Sequence, residues 1–160
     1  QLSKNKREKL YLLIKQEAKA IGLGIVSQAE IDNLGLAKAR ERAILKAFNE
    51  VFVKFNGQVA AIIDDRRLRK LKPQIDTIVL FADHADRKRL SVAAASIIAK
   101  TLRDKFMISI SSVFPNYGFE KHVGYGTYIH REALEKFGPC ELHRMSFLPI
   151  RRILDKQKAV

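Results

Sequence analysis

Two aspartates stand where a short apolar run gives way to polar chain. Asp64 follows VAAII (59–63), and Asp86 lies shortly after IVLF (78–81). Runs of this length suit strands buried on both faces of an α/β sheet, and open α/β sheets build their sites at the carboxyl ends of their strands. Two carboxylates converging there would offer hard oxygen ligands for Mg²⁺ or Mn²⁺ beside a phosphate. A pair of such ions activates water and stabilises the leaving oxygen in phosphodiester hydrolysis. Residue by residue, the plainer reading is that an aspartate after a strand serves a turn, where its side chain accepts from nearby backbone amides.

The surroundings are basic: 30 Lys and Arg against 17 Asp and Glu give a formal charge of +13. That excess favours a polyanionic partner, and carboxylates gathered in such a chain point to a divalent cation. The only cysteine, Cys140, excludes an internal disulfide framework and a cysteine-rich zinc site, and suits a reducing compartment. His84, His122, His130 and His143 lack HExxH spacing and read as surface or supporting groups rather than ligands. Ser96, Lys100 and Asp104 recur at i, i+4 on one helix face. They form either an ordinary polar stripe with a Lys100 to Asp104 ion pair or a hydrogen-bonding flank to the site. No apolar run reaches the roughly eighteen residues of a membrane span, and QLSKNKREKL (1–10) lacks the apolar stretch of a signal peptide. The expected location is the cytoplasm, with no membrane contact.

The elements that must position these groups follow from periodicity. A chain of 160 residues, 47% hydrophobic, supports one domain around one substantial core. Ser3 caps a predicted helix with Leu10, Leu13, Ile14, Ala18 and Ile21 on one stripe. GLGIV (22–26) reads as an extended connector or strand. Ser27 and Glu30 make a capping-box pattern, and a long helical pattern runs from Leu36 to Phe55 before Asn56 and Gly57. After the two strand-like runs, VAAASII (92–98) continues into AKTLRDKFM as a helix rich in small residues. Turns follow at Pro115, Asn116 and Gly118 and at GYG (124–126), Thr127 caps a short helix ending at Gly138, and the basic tail from Arg151 is frayed or helical.

At SVAAASIIAKTLRD (91–104), FPNYGFEKHVGYGT (114–127) and HRMSF (143–147) the sequence resembles the ribonuclease HII family in order, spacing and content; LSKNKREKLY (2–11) and IVSQAEID (25–32) resemble that family's first helix and the segment after it. The resemblance implies an RNase H-like fold, a mixed sheet flanked by helices, with a helical C-terminal part whose residues 114–160 bind substrate. It implies a monomeric endonuclease that cuts the RNA strand of RNA/DNA hybrids and ribonucleotides embedded in duplex DNA, leaving 5′-phosphate and 3′-hydroxyl ends, with two Mg²⁺ or Mn²⁺ ions.

The family's site uses four carboxylates. IDDRR (63–67) stands where the family has a pattern like IDGNR, which assigns Asp64 to the third; the fourth lies ten residues before the serine of the AAAS block, which from Ser96 gives Asp86. Asp65 and Asp83 are near decoys. The resemblance makes Tyr125, Gly124, Lys100, Ser96, His122 and Arg144 the candidate nucleic-acid contacts, Tyr125 at the junction between RNA and DNA. From composition alone, Tyr125 reads as an ordinary, partly buried loop aromatic. The DEAGRG-like motif that carries the first two carboxylates, and the DSKK motif, do not occur in these 160 residues, so the N-terminal strands are expected to be missing. Asp65 and Arg66 replace Gly and Asn, Val123 stands where the family often has Lys, and Met145 replaces an Arg. Two functions are therefore open: the hybrid-cleaving endonuclease, or a non-catalytic, basic nucleic-acid-binding remnant or subunit of that fold.

Overall fold

The computed structural model describes residues 2–55, 60–68, 71 and 78–158. The chain divides into two compact units, Gln1–Val26 with Ala37–Thr101, and Ser27–Leu36 with Leu102–Val160.

In the first unit, helix α1 (Lys4–Glu17) starts where the Ser3 side chain accepts from the Lys6 amide, as the cap residue predicts. It stops four residues short of Ile21, because Ala18 turns extended. The segment that follows runs extended along helix α3 (Leu36–Lys54) without joining a sheet. Three α3 side chains one helical turn apart satisfy its backbone: Lys54 donates to Ile21 O, Glu50 accepts from Leu23 N–H, and Lys46 donates to Ile25 O. Alternate residues of an extended chain rise by about 6.6 Å and four helical residues by about 6.0 Å, so the two repeats stay in step over this length. The approach requires glycine. A Cβ at Gly24 would fall 1.6 Å from Ala43 O, and one at Gly22 2.1 Å from Ala47 O. Asn56 and Gly57, the expected stop of α3, lie outside the described residues, as does Val59.

Strands β1 (Ala60–Ile63) and β2 (Ile78–Phe81) pair in parallel, with Ala60 opposite Ile78 and Ile63 opposite Phe81. The α/β class stands, and among the described residues the sheet is this parallel pair. The strands are not buried on both faces as their composition suggests. Val79 and Phe81 join Ile44 and Leu45 of α3 around Ile63, Leu68 and Leu71, whereas Ile78 and Leu80 are 69% and 54% exposed. A strand sends alternate side chains to opposite faces, and α3 covers one of them.

In the second unit, the Ser27–Glu30 capping box opens helix α2 (Gln28–Leu34) with both reciprocal bonds formed. Helix α4 (Leu90–Ser109) begins in the first unit and ends in this one. Helices α5 (Phe119–His122), α6 (Tyr128–Phe137, capped by Thr127) and α7 (Leu148–Lys158) complete the expected helical C-terminal part. Their core is Tyr117, Phe119, Ala133, Leu134 and Ile150, with Phe119 fully enclosed. Asp32 of α2 fastens residues 143–147 by accepting from the Met145 and Ser146 amides at 2.7 and 3.0 Å. Burial opposes its charge, but these bonds and that of the Ser146 hydroxyl hold the carboxyl below its ordinary value.

Candidate functional site

Parallel pairing brings the carboxyl ends of β1 and β2 to one edge. The ladder continues past β2 with Ala82 N–H donating to Ile63 O at 3.0 Å. The chain then reverses through His84, a non-glycine residue at φ 55°, into a short 3₁₀ turn, Ala85–Arg87. That left-handed conformation is uncommon for a residue with a Cβ, and here it precedes a buried Ala85 whose N–H donates to Asp64 Oδ1 at 2.9 Å. Asp64 is thus tied to the residue immediately before Asp86. Both carboxylates are exposed on this edge.

Asp65, next to Asp64, does the opposite. It is buried and accepts from Arg40 and, through both oxygens, from the Arg67 guanidinium at 3.0 and 3.3 Å and the Arg67 amide at 2.9 Å. Side-chain bonding from Arg67, then its amide and Arg40, hold the Asp65 carboxyl at about 2, and the same pairing raises Arg67. Of the two adjacent aspartates, Asp65 is buried in ion pairs and Asp64 is exposed. Hard-oxygen chemistry at the edge fits a divalent cation. Among the described residues no group of three or more His, Cys, Asp or Glu side chains is placed to hold one. Ser96 is exposed on α4 and Lys100 half-buried. Asp104 is buried and accepts from Arg103 at 3.1 Å.

A second candidate surface lies in the other unit. Helix α5 ends because Val123 adopts φ 44° and Gly124 φ 78°. The backbone at Gly124 favours glycine, because φ 78° is strained for a residue with a Cβ; a Cβ there would meet only the flexible tips of Met107 (Cε, 3.2 Å) and Arg103 (Nη2, 3.4 Å). The turn presents Tyr125 outward, 51% exposed, with the Arg103 guanidinium 4.7 Å from its ring centroid. An aromatic face beside a cation is the combination that stacks against sugars and bases of nucleic acids. Arg144 is half-buried, its guanidinium 4.6 Å from the Phe147 ring.

The histidines fall into two groups. His84 is exposed, but His122, His130 and His143 are buried around Phe119. His122 therefore offers no surface to a ligand; its Nε2 lies 2.8 Å from Tyr117 O, and its Nδ1 accepts from Gly124 N–H at 3.2 Å. Its effect is on the turn that carries Tyr125. Burial lowers His130 and His143, whose Nε2 atoms are 3.1 Å apart. Sequence spacing missed this cluster because its members come from three separate segments. The one local signal was His130 three residues after the capping Thr127.

The sequence model described as Ribonuclease HII matches residues 1–149. Proteins named ribonuclease HII from Bacillus cytotoxicus and Geobacillus are 40% identical over 153 residues and 38% identical over 157. These alignments cover 96% and 98% of this chain, but 56% and 54% of the relatives. One from Lactobacillus helveticus is 40% identical over 149 residues, covering 93% of this chain and 56% of its own. The chain spans about half the length of the curated relatives it matches.

Proposed function

Because the chain belongs to the ribonuclease HII family, we propose that these 160 residues form the duplex-binding part of a nuclease directed at ribonucleotides paired with DNA, and that by themselves they bind such duplexes without cutting them. One contrast carries this reading. A chain of charge +13 presents an exposed tyrosine beside an arginine, while its edge carboxylates belong to no group of three or more metal-ligating side chains among the described residues. Binding needs the first feature and cleavage needs more than the second.

Asp64 and Asp86 are the residues that would hold Mg²⁺ or Mn²⁺ where further carboxylates complete the set. A bound ion pair would supply activated water and charge stabilisation for hydrolysis to 5′-phosphate and 3′-hydroxyl ends. Asp64 enters that set already oriented, one oxygen held by Ala85 N–H. Tyr125 contacts the sugar at the junction from RNA to DNA, Gly124 allows the turn that presents it, and Lys100, Ser96 and Arg144 contact the backbone. The protein acts as a monomer in the cytoplasm on hybrids and on single embedded ribonucleotides. Among the described residues no helix is long and apolar enough to cross a membrane.

Gel-shift and cleavage assays on one labelled duplex containing a single ribonucleotide test the reading. Binding that weakens steeply with salt, without cleavage in Mg²⁺ or Mn²⁺, is the expected result. Absence of binding at low salt would reject it.

A further inference from the structure

The ring nitrogens of the buried histidines admit one neutral proton arrangement, and it ends on Tyr125. Tyr125 O lies 3.0 Å from His130 Nδ1. A carbonyl only accepts, so His130 carries its proton on Nδ1 and its Nε2 is a bare acceptor. His143 Nε2, 3.1 Å away, must then be the donor. This leaves His143 Nδ1 to accept from the Cys140 amide at 3.0 Å, with Cys140 Sγ at 3.1 Å. Reversing the order would set a lone pair of His130 against the Tyr125 carbonyl. Cys140 O, 3.2 Å from His143 Nδ1, already accepts from the His143 amide at 2.9 Å, so it needs no proton from the ring; serving it as well as His130 would take a charged ring, which the burial of His143 opposes. His122 is fixed independently, since Gly124 N–H needs its Nδ1 as acceptor and Tyr117 O receives its Nε2–H.

We propose that His130, oriented through His143, is the positioning residue for Tyr125, completing an ordered chain of donors from the Cys140 amide through His143 and His130 to the Tyr125 carbonyl. The inference rests on the reading of Tyr125 as a duplex contact and adds what holds that residue's backbone in place. The carbonyl is held by the His130 ring and by Thr127 N–H at 2.7 Å, and Tyr125 N–H donates to His122 O at 2.9 Å. Both ends of the exposed residue are thereby anchored to the buried cluster. The ring itself stays outside, beside Arg103.

Nitrogen-15 NMR of the histidine rings in the 160-residue chain at neutral pH reads the arrangement without any substitution. The expected protonated positions are Nδ1 of His130 and Nε2 of both His143 and His122. A proton on Nε2 of His130 would overturn the proposal. Duplex binding supplies the functional arm, with one embedded ribonucleotide in the probe. His130→Leu should weaken binding by about threefold to tenfold, the worth of one hydrogen bond. His130→Asn, which keeps an N–H near the Nδ1 position, should restore most of it. Combining His130→Leu with Tyr125→Ala should bring no further loss beyond Tyr125→Ala; additive losses, or full binding by His130→Leu where Tyr125→Ala weakens it, would overturn the positioning role alone. Unchanged binding by Tyr125→Ala would instead overturn the duplex reading, and the positioning role with it, whatever the ring protons show.

Discussion

The Asp64 carboxylate accepts a 2.9 Å hydrogen bond from the backbone N–H of Ala85, the residue that leads into Asp86. One strand end is thereby clamped to the turn after its neighbour, and the two exposed carboxylates are carried on linked backbone. Mn²⁺ titrated into the isotopically labelled chain should broaden the amide signals of residues 64 and 85–87 first. Asp64→Asn keeps an oxygen for the Ala85 amide, so it should abolish that broadening with little change in Tm. Unaltered broadening in this variant would remove Asp64 from the ligand set.

Asp65 should behave as a structural group. Its folded value of about 2 lies below the ordinary 3.8. Its contribution to stability is therefore complete above the unfolded value and is lost as pH falls through the interval from about 4 to 2. Asp65→Asn should lower Tm at neutral pH and flatten that part of the acid limb, measured by thermal melts across the interval. Duplex binding at neutral pH should persist in this variant at temperatures well below its Tm.

The opposite residue type gives a second pH signature with the same sign. Burial is the chief cause lowering His130 and His143 from the ordinary 6.5, with His122 and His130 respectively adding charge repulsion. The unfolded chain then binds more protons, so stability present above the unfolded value is lost as pH falls below about 6.5 toward the folded values. Urea midpoints should fall over that range in the unsubstituted chain, and the slope should shrink in His143→Gln. An equal slope in both would mean that this ring does not contribute to the linkage.

Much of this was legible in the sequence, and the misses share a cause. The caps at Ser3, Ser27 and Thr127 and the strand IVLF were readable because each depends on a few adjacent residues. The placement of Asp64 past β1 came from the same local pattern. The connector's register on α3 was not readable, since it depends on Lys46, Glu50 and Lys54 meeting backbone groups 21 to 33 residues away. The histidine cluster was hidden for that reason too, because His130 and His143 meet through tertiary packing rather than through a spacing motif. Exposure of Ile78 and Leu80 was masked by a run apolar at every position, which carries no alternation to reveal its faces.

Gly24 gives the sharpest stability prediction. Its Cβ position is 1.6 Å from Ala43 O and 2.6 Å from Ala43 C, both backbone atoms of a helix that cannot yield locally. Gly24→Ala should cost about 3 kcal/mol through overpacking, read from denaturant unfolding. Gly126→Ala, where a Cβ would meet nothing within 4 Å, is the control and should cost little.

The most direct measurement of the central claim places the purified 160-residue chain with a duplex containing one ribonucleotide and follows binding and strand cleavage together, with Mg²⁺ and with Mn²⁺. The account predicts salt-sensitive binding, weakened by Tyr125→Ala, and an intact strand after prolonged incubation. Robust metal-dependent cleavage at the ribonucleotide, abolished by Asp64→Asn, would contradict it.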